Sequence, residues 1–146
     1  MQTLSIALAT TPAAIERSFE VVRELRTHLT LEDYVGQVAR QQAREGYQLA
    51  LLSDGGQLRA AAGFRRMETL AWGRILYVDD LVTRAADRGA GYGSALFDWL
   101  VGTAHEAGCA QLHLDSGVQR FGAHRFYLHK GLDITSHHFA IALTRR

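Results

Sequence analysis

The feature that most constrains this chain is the stretch Arg84-Ala85-Ala86-Asp87-Arg88-Gly89-Ala90-Gly91-Tyr92-Gly93-Ser94. It lies between a strand pattern, Arg74 to Thr83, and a helix pattern from about Gly91 to Ala107. The helix is read from Leu96, Phe97, Leu100, Val101 and Ala104, which share one apolar face. Three glycines let the backbone turn tightly and bring successive N–H groups toward one point. The helix that follows adds the positive end of its dipole, and Arg88 adds a forked cation. Together these suit a diphosphate. From the glycines alone, a turn that holds no ligand is the alternative.

The rest of the chain arranges itself around that turn. Leu4 to Ala9 alternates and reads as a first strand. Thr11-Pro12 is an N-cap followed by proline at the first helical position, and Ile15, Phe19, Val22 and Leu25 carry a helix from about Pro12 to His28. Thr30-Leu31-Glu32-Asp33 resembles a capping box and opens a second helix, stopped by Gly46. Tyr47 to Ser53 and Gln57 to Phe64 are two strands joined by the hairpin signal Asp54-Gly55-Gly56. After the central helix come a short strand, Ala110 to Asp115, a helix, Arg120 to His129, and a last strand, His137 to Leu143. The order is β-α-α-β-β-β-α-β-α-β. It predicts one α/β (α+β) domain over residues 1–146, a mixed, mostly antiparallel sheet flanked by helices.

Two common phosphate loops do not fit. A Walker loop ends in Gly-Lys-Ser/Thr, and Lys130 is the only lysine. A dinucleotide fingerprint needs a third glycine where Ser94 stands and several strand–helix units behind it. Instead, Arg88-x-x-Gly91-x-Gly93 after Tyr77-Val78-Asp79-Asp80-Leu81-Val82-Thr83 resembles the acyl-CoA motif of the GCN5-related N-acetyltransferase (GNAT) superfamily. Downstream, Ala123-His124-Arg125-Phe126-Tyr127 with Gly131-Leu132 is similar to that family's Ala-x-x-Phe-Tyr…Gly-Phe segment, with Leu132 replacing phenylalanine. The resemblance implies acetyl-CoA as co-substrate. It implies pyrophosphate contacts from Arg88, Gly89, Ala90, Gly91, Tyr92, Gly93 and Ser94, and pairing of the pantetheine arm with Leu81, Val82 and Thr83.

Acetyl transfer to an amine requires a proton acceptor, a donor for the carbonyl oxygen and an acid for the departing sulfur. Tyr127 is the acid candidate, because a phenol of pKa about 10 is matched to an alkyl thiol; packing beside Phe126 is its structural alternative. Asp79 and Asp80 are unusual in an apolar strand. Alternation puts Tyr77, Asp79, Leu81 and Thr83 on one face and Val78, Asp80 and Val82 on the other. The resemblance maps the proton acceptor to Asp79 and the carbonyl's donor to the Leu81 N–H. Asp80 then braces structure, and a purely structural aspartate pair is the competing reading. Tyr77, Asp115 and His124 are candidate walls of the acceptor pocket, with Asp115 alternatively satisfied by the turn Ser116-Gly117.

Composition excludes some classes. The chain has 146 residues and a net charge of +1, so it carries no bulk field for nucleic acid or anionic membrane. Seven histidines invite a metal reading, but their spacing matches no zinc site, and no metal is expected. One cysteine, no apolar run near the length of a membrane span and no leader pattern from Met1 onward predict a cytoplasmic protein. The expected activity is transfer of acetyl to a primary amine of a small-molecule or amino-acid-like acceptor. The alternatives are a protein N-terminus, an aminoacyl-tRNA, or a non-catalytic acyl-CoA-binding module. A homodimer is the assembly that analogy with the family implies.

Overall fold

A computed structural model describes residues 3–144. Met1, Gln2, Arg145 and Arg146 lie outside the described residues. The chain divides into two compact units, Met1–Leu114 and Asp115–Arg146.

The first unit is built on a five-stranded sheet with strands in chain order: β1 (Leu4–Leu8), β2 (Gln48–Asp54), β3 (Gln57–Thr69), β4 (Gly73–Thr83) and β5 (Gln111–Leu114). The first four pair antiparallel, and β5 joins β4 in parallel. Gly55 and Gly56 turn the β2–β3 hairpin at φ of 60° and 80°, the left-handed pair that a two-residue turn demands.

Helices cover both faces. Helices α1 (Pro12–Val22) and α2 (Leu31–Arg44) are capped by the Thr11 and Thr30 hydroxyls, which accept from the Ala14 and Asp33 amides. They set Ile15, Val21, Val22, Tyr34 and Val38 against Leu49, Leu51, Ala61 and Val82. The opposite face packs Leu96, Leu100 and Ala104 of α3 (Tyr92–Glu106) on Ala50, Leu52, Ala60, Ala62, Phe64, Leu76 and Val78. Leu96 and Leu100 are fully buried, and truncating either to alanine should cost about 2–5 kcal/mol.

Three expectations change. The first helix ends at Val22, not near His28. Its chain tightens through Glu24 N–H to Val21 O and Leu25 N–H to Val22 O, each spanning three residues, and this turns Arg26 toward β4. Strand β3 runs on to Thr69. The expected last strand, His137 to Leu143, is not formed: the segment has no strand pairing, and Phe139, Ile141 and Leu143 are exposed. Alternation supplies a face, but a strand also needs a partner ladder for its backbone groups. Among the described residues, the second unit holds one regular element, α4 (Phe121–His129).

Candidate active site

Strand β4 leads through a 3-10 turn, Ala85–Asp87, into the glycine segment and α3. The glycines have different tasks. Gly89 and Gly91 sit at φ of 86° and 88°, where a side chain is strained, and a Cβ at either would meet nothing within 4 Å. Gly91 is the N-cap of α3, so the first amides of a 15-residue helix border that open space. A Cβ on Gly93 would lie 3.2 Å from the Thr83 hydroxyl; this glycine lets the helix start close against the strand end. Arg88 is exposed beside the turn. Left-handed glycines, open space and a helix N-terminus fit a diphosphate.

The turn is braced from behind by residues that sequence reading missed. The Asp87 carboxylate accepts from Arg84 Nε at 2.6 Å and Arg59 Nη1 at 2.9 Å. The bond from Arg84, then the Arg59 charge, hold its carboxyl below the ordinary range. The Arg59 guanidinium also lies over the Tyr92 ring, and the Tyr92 hydroxyl donates to Asp54 Oδ2 at 2.6 Å. Tyr92 is thus a buried anchor whose side chain turns inward, leaving only its backbone for a ligand. The Arg84/Asp87 pair at i, i+3 was the available sequence signal; Arg59 and Asp54 gave none.

Immediately before the turn, β4 departs from regular pairing. Gly63 faces Asp80 and Phe64 faces Val78, so Asp79 is an extra residue: a β-bulge. The bulge overturns the expected alternation. Val78 packs in the core under α3, whereas Val82, four residues on, packs under α1 and α2. The two aspartates are not divided between opposite environments. Asp79 accepts a bidentate pair from Arg65, at 3.0 Å from Nε and 2.7 Å from Nη2, and the Arg65 guanidinium lies over the Tyr47 ring. The Tyr47 hydroxyl donates to Asp80 Oδ2 at 2.8 Å, and Arg26 Nε donates to Asp80 Oδ1 at 2.8 Å. One network therefore holds both carboxylates.

Burial pushes the Asp79 carboxyl above its ordinary value; the Arg65 bond and charge oppose that shift. Burial, then the charge of Asp80, pushes the Tyr47 phenol well up. Nearby, Ser18 donates to the Ile15 carbonyl and so accepts from the Tyr34 hydroxyl, whose pKa burial raises to about 12. These tyrosines stay neutral donors across the working pH range.

Beyond the bulge β4 is open on one side. Strand β5 pairs only with Ile75 to Val78, and no strand among the described residues pairs with that edge of Asp79–Thr83. Tyr77 lies opposite Arg65 on β3 and His113 on β5.

The second unit carries Tyr127 on α4, half-buried, with its ring 5.5 Å from that of Phe126 at 68°. Burial raises its phenol pKa, and the charge of Arg120 partly offsets this. Gly131, at φ of 93°, closes the helix, and the Leu132 N–H reaches back to the Tyr127 carbonyl. His124 donates from Nε2 to the Gly117 carbonyl at 2.8 Å, which fixes its proton on that nitrogen. Asp115 is exposed, with Oδ1 at 3.4 Å from His138 Nδ1. Among the described residues no three His, Cys, Asp or Glu side chains group to hold a metal ion, and no helix is long and apolar enough to cross a membrane.

A strand that opens at a bulge and runs into a left-handed glycine turn at a helix start agrees with the resemblance read from the sequence. Residues 13–132 match the family described as Acetyltransferase (GNAT) family. The chain is 37% identical over 123 residues to an uncharacterized N-acetyltransferase, YhdJ, of Bacillus subtilis, covering 84% of this chain and 87% of that protein. Its fold is similar to a putative acetyltransferase from Agrobacterium tumefaciens (24% identity, TM-score 0.81, 94% and 99% of the two chains). It is also similar to a ribosomal-protein-alanine N-acetyltransferase from Brucella melitensis (17% identity, TM-score 0.83, 97% and 100%). The chain belongs to the GNAT acetyltransferase family, an N-acetyltransferase whose co-substrate, by membership, is acetyl-CoA.

Proposed function

We propose that this protein moves acetyl from acetyl-CoA directly to the primary amine of a small-molecule or amino-acid-like acceptor in the cytoplasm. The observation that carries the reading is the open edge of Asp79–Thr83 running straight into the glycine turn. An extended, amide-bearing arm can add to such an edge as a strand while its diphosphate meets the helix start. When bound, the co-substrate supplies a thioester.

The chain's own residues then divide the work. The backbone from Arg88 to Ser94 binds the diphosphate, and the Arg88 side chain adds charge. Leu81, Val82 and Thr83 align the arm, with the Leu81 N–H donating to the acetyl oxygen. Asp79 attracts the acceptor's ammonium and takes its proton, directly or through water; its raised pKa makes it a better base than an ordinary aspartate. Tyr127, kept protonated by burial, delivers a proton to the sulfur. The candidate acceptor residues are Tyr77 on the first unit and Asp115 and His124 on the second.

The test is a panel of small amines, amino acids and N-terminal peptides, scored by thiol release from acetyl-CoA. Release with a small amine is expected. Tight acetyl-CoA binding without release from any acceptor would replace the enzyme with a binding module, and preference for peptides would move the acceptor to a protein N-terminus.

A further inference from the structure

The β4 bulge is held by side chains from two segments distant in the chain, at Arg26 and Tyr47, and their geometry goes beyond what a strand irregularity needs. An extra residue breaks the ladder and leaves backbone groups to be satisfied elsewhere. Arg26 does this: Nη2 donates to the Asp79 carbonyl at 2.9 Å while Nε donates to the Asp80 carboxylate at 2.8 Å. One planar guanidinium thus spans both residues of the bulge, a contact that lysine cannot reproduce. Tyr47 takes the other Asp80 oxygen.

The position of the bulge is read by a missing side chain. Gly63 faces Asp80, and a Cβ on Gly63 would overlap the Tyr47 hydroxyl outright. Within Ala60-Ala61-Ala62-Gly63-Phe64, Gly63 alone leaves room for that ring. A slip of β3 by one residue would bring Ala62 or Phe64 under it and expel it. Tyr47 therefore reports the register of β3, and through Asp80 fixes that of β4.

We propose that Arg26 and Tyr47 are positioning residues for acetyl transfer: they lock the bulge at Asp79 so that the Leu81 N–H points at the acetyl carbonyl. This rests on the function proposed above. The bulge also marks the residue at which β4 loses β5 and its edge opens. Releasing the lock lets the extra residue migrate along the strand and turns the donor away, while the glycine turn is untouched.

The test uses the whole chain with Tyr47→Phe, Arg26→Lys and Arg26→Ala, the first two being the mild variants should the third fail to fold. Residue-resolved amide exchange is measured without ligand, with CoA and with acetyl-CoA, alongside kcat and KM. Wild-type protein should gain protection at Gly89–Ser94 with either ligand and at Leu81 only with acetyl-CoA. The variants should keep the first gain, lose the second, and lose kcat on the order of 10- to 100-fold with KM for acetyl-CoA little changed. Added guanidinium should restore part of kcat in Arg26→Ala only. Folded variants that keep both Leu81 protection and kcat overturn the inference alone, whereas wild-type protein protected at Gly89–Ser94 but showing no acetyl-dependent protection at Leu81 overturns the inference together with the donor role of Leu81 proposed above. Wild-type protein unprotected at both segments overturns the proposed function and this inference together.

Discussion

The glycine turn and the β4 bulge adjoin in the chain but are specified in opposite ways. The turn is a contiguous instruction: its left-handed residues, Gly89 and Gly91, and its close approach at Gly93 all lie within one short segment. The bulge is assembled. Its partners Arg26, Tyr47 and Arg65 come from 54, 33 and 14 residues away along the chain. A contiguous instruction is a demand on backbone dihedrals, so the residue types announce it. An assembled one depends on which residue faces which, and no local pattern states that.

The largest effect should come from damaging the contiguous region. Gly91→Val forces a β-branched residue to φ near 88° and projects its side chain into open space at the helix start. Acetyl-CoA affinity should be lost in calorimetry while the fold, followed by circular dichroism, survives a strain of about 1–2 kcal/mol. A folded variant with unchanged affinity would remove the turn from the ligand site. Next, the second motif that is readable along the chain: Tyr127→Phe should lower kcat by roughly 10- to 10⁴-fold with little change in acetyl-CoA affinity. Wild-type kcat under chemistry-limited conditions would leave Tyr127 a packing residue beside Phe126.

The assembled region should respond more gently. Asp79→Asn keeps size and loses charge, so KM for cationic acceptors should rise on the order of tenfold and the acidic limb of the pH–rate profile should change. An unaltered profile would mean that the proton leaves through solvent. The smallest effect is the most diagnostic. Arg65 opposes the burial that raises the Asp79 pKa. In Arg65→Gln the carboxyl should therefore stay protonated to higher pH. A general base works only when deprotonated, so activity should begin its acidic decline at higher pH than in wild type. An acidic limb that stays put, or moves down, would show that it does not report Asp79.

The contrast also explains how far the sequence carried. Element order through α4, both helix caps, the hairpin turn and the glycine turn were readable, because each rests on local periodicity or on a residue with a special dihedral or capping role. The face assignment of β4 failed at one residue. Strict alternation divides Asp79 from Asp80, but an inserted residue shifts everything after it, and the cause lies across the ladder at Gly63 and Tyr47. That glycine sits in an unremarkable small-residue run and reads as simple packing. Asp80, expected to brace structure, does so by accepting from Arg26 and Tyr47, in one network with Asp79. The C-terminal segment misled in the other direction: Phe139, Ile141 and Leu143 alternate well, yet alternation without a partner ladder is not a strand.

The open edge of β4 has a consequence for the protein's behaviour in solution. A row of unpaired backbone groups is a template onto which another chain can add. Here the row is confined to Asp79–Thr83, and Arg26 already takes the Asp79 carbonyl, so the template is short. A ligand that completes the strand removes the template altogether and, by mass action, stabilises the folded form as its concentration exceeds its dissociation constant. Well-supplied protein should accordingly resist self-association better than starved protein, with the co-substrate serving as a removable selvedge on the sheet.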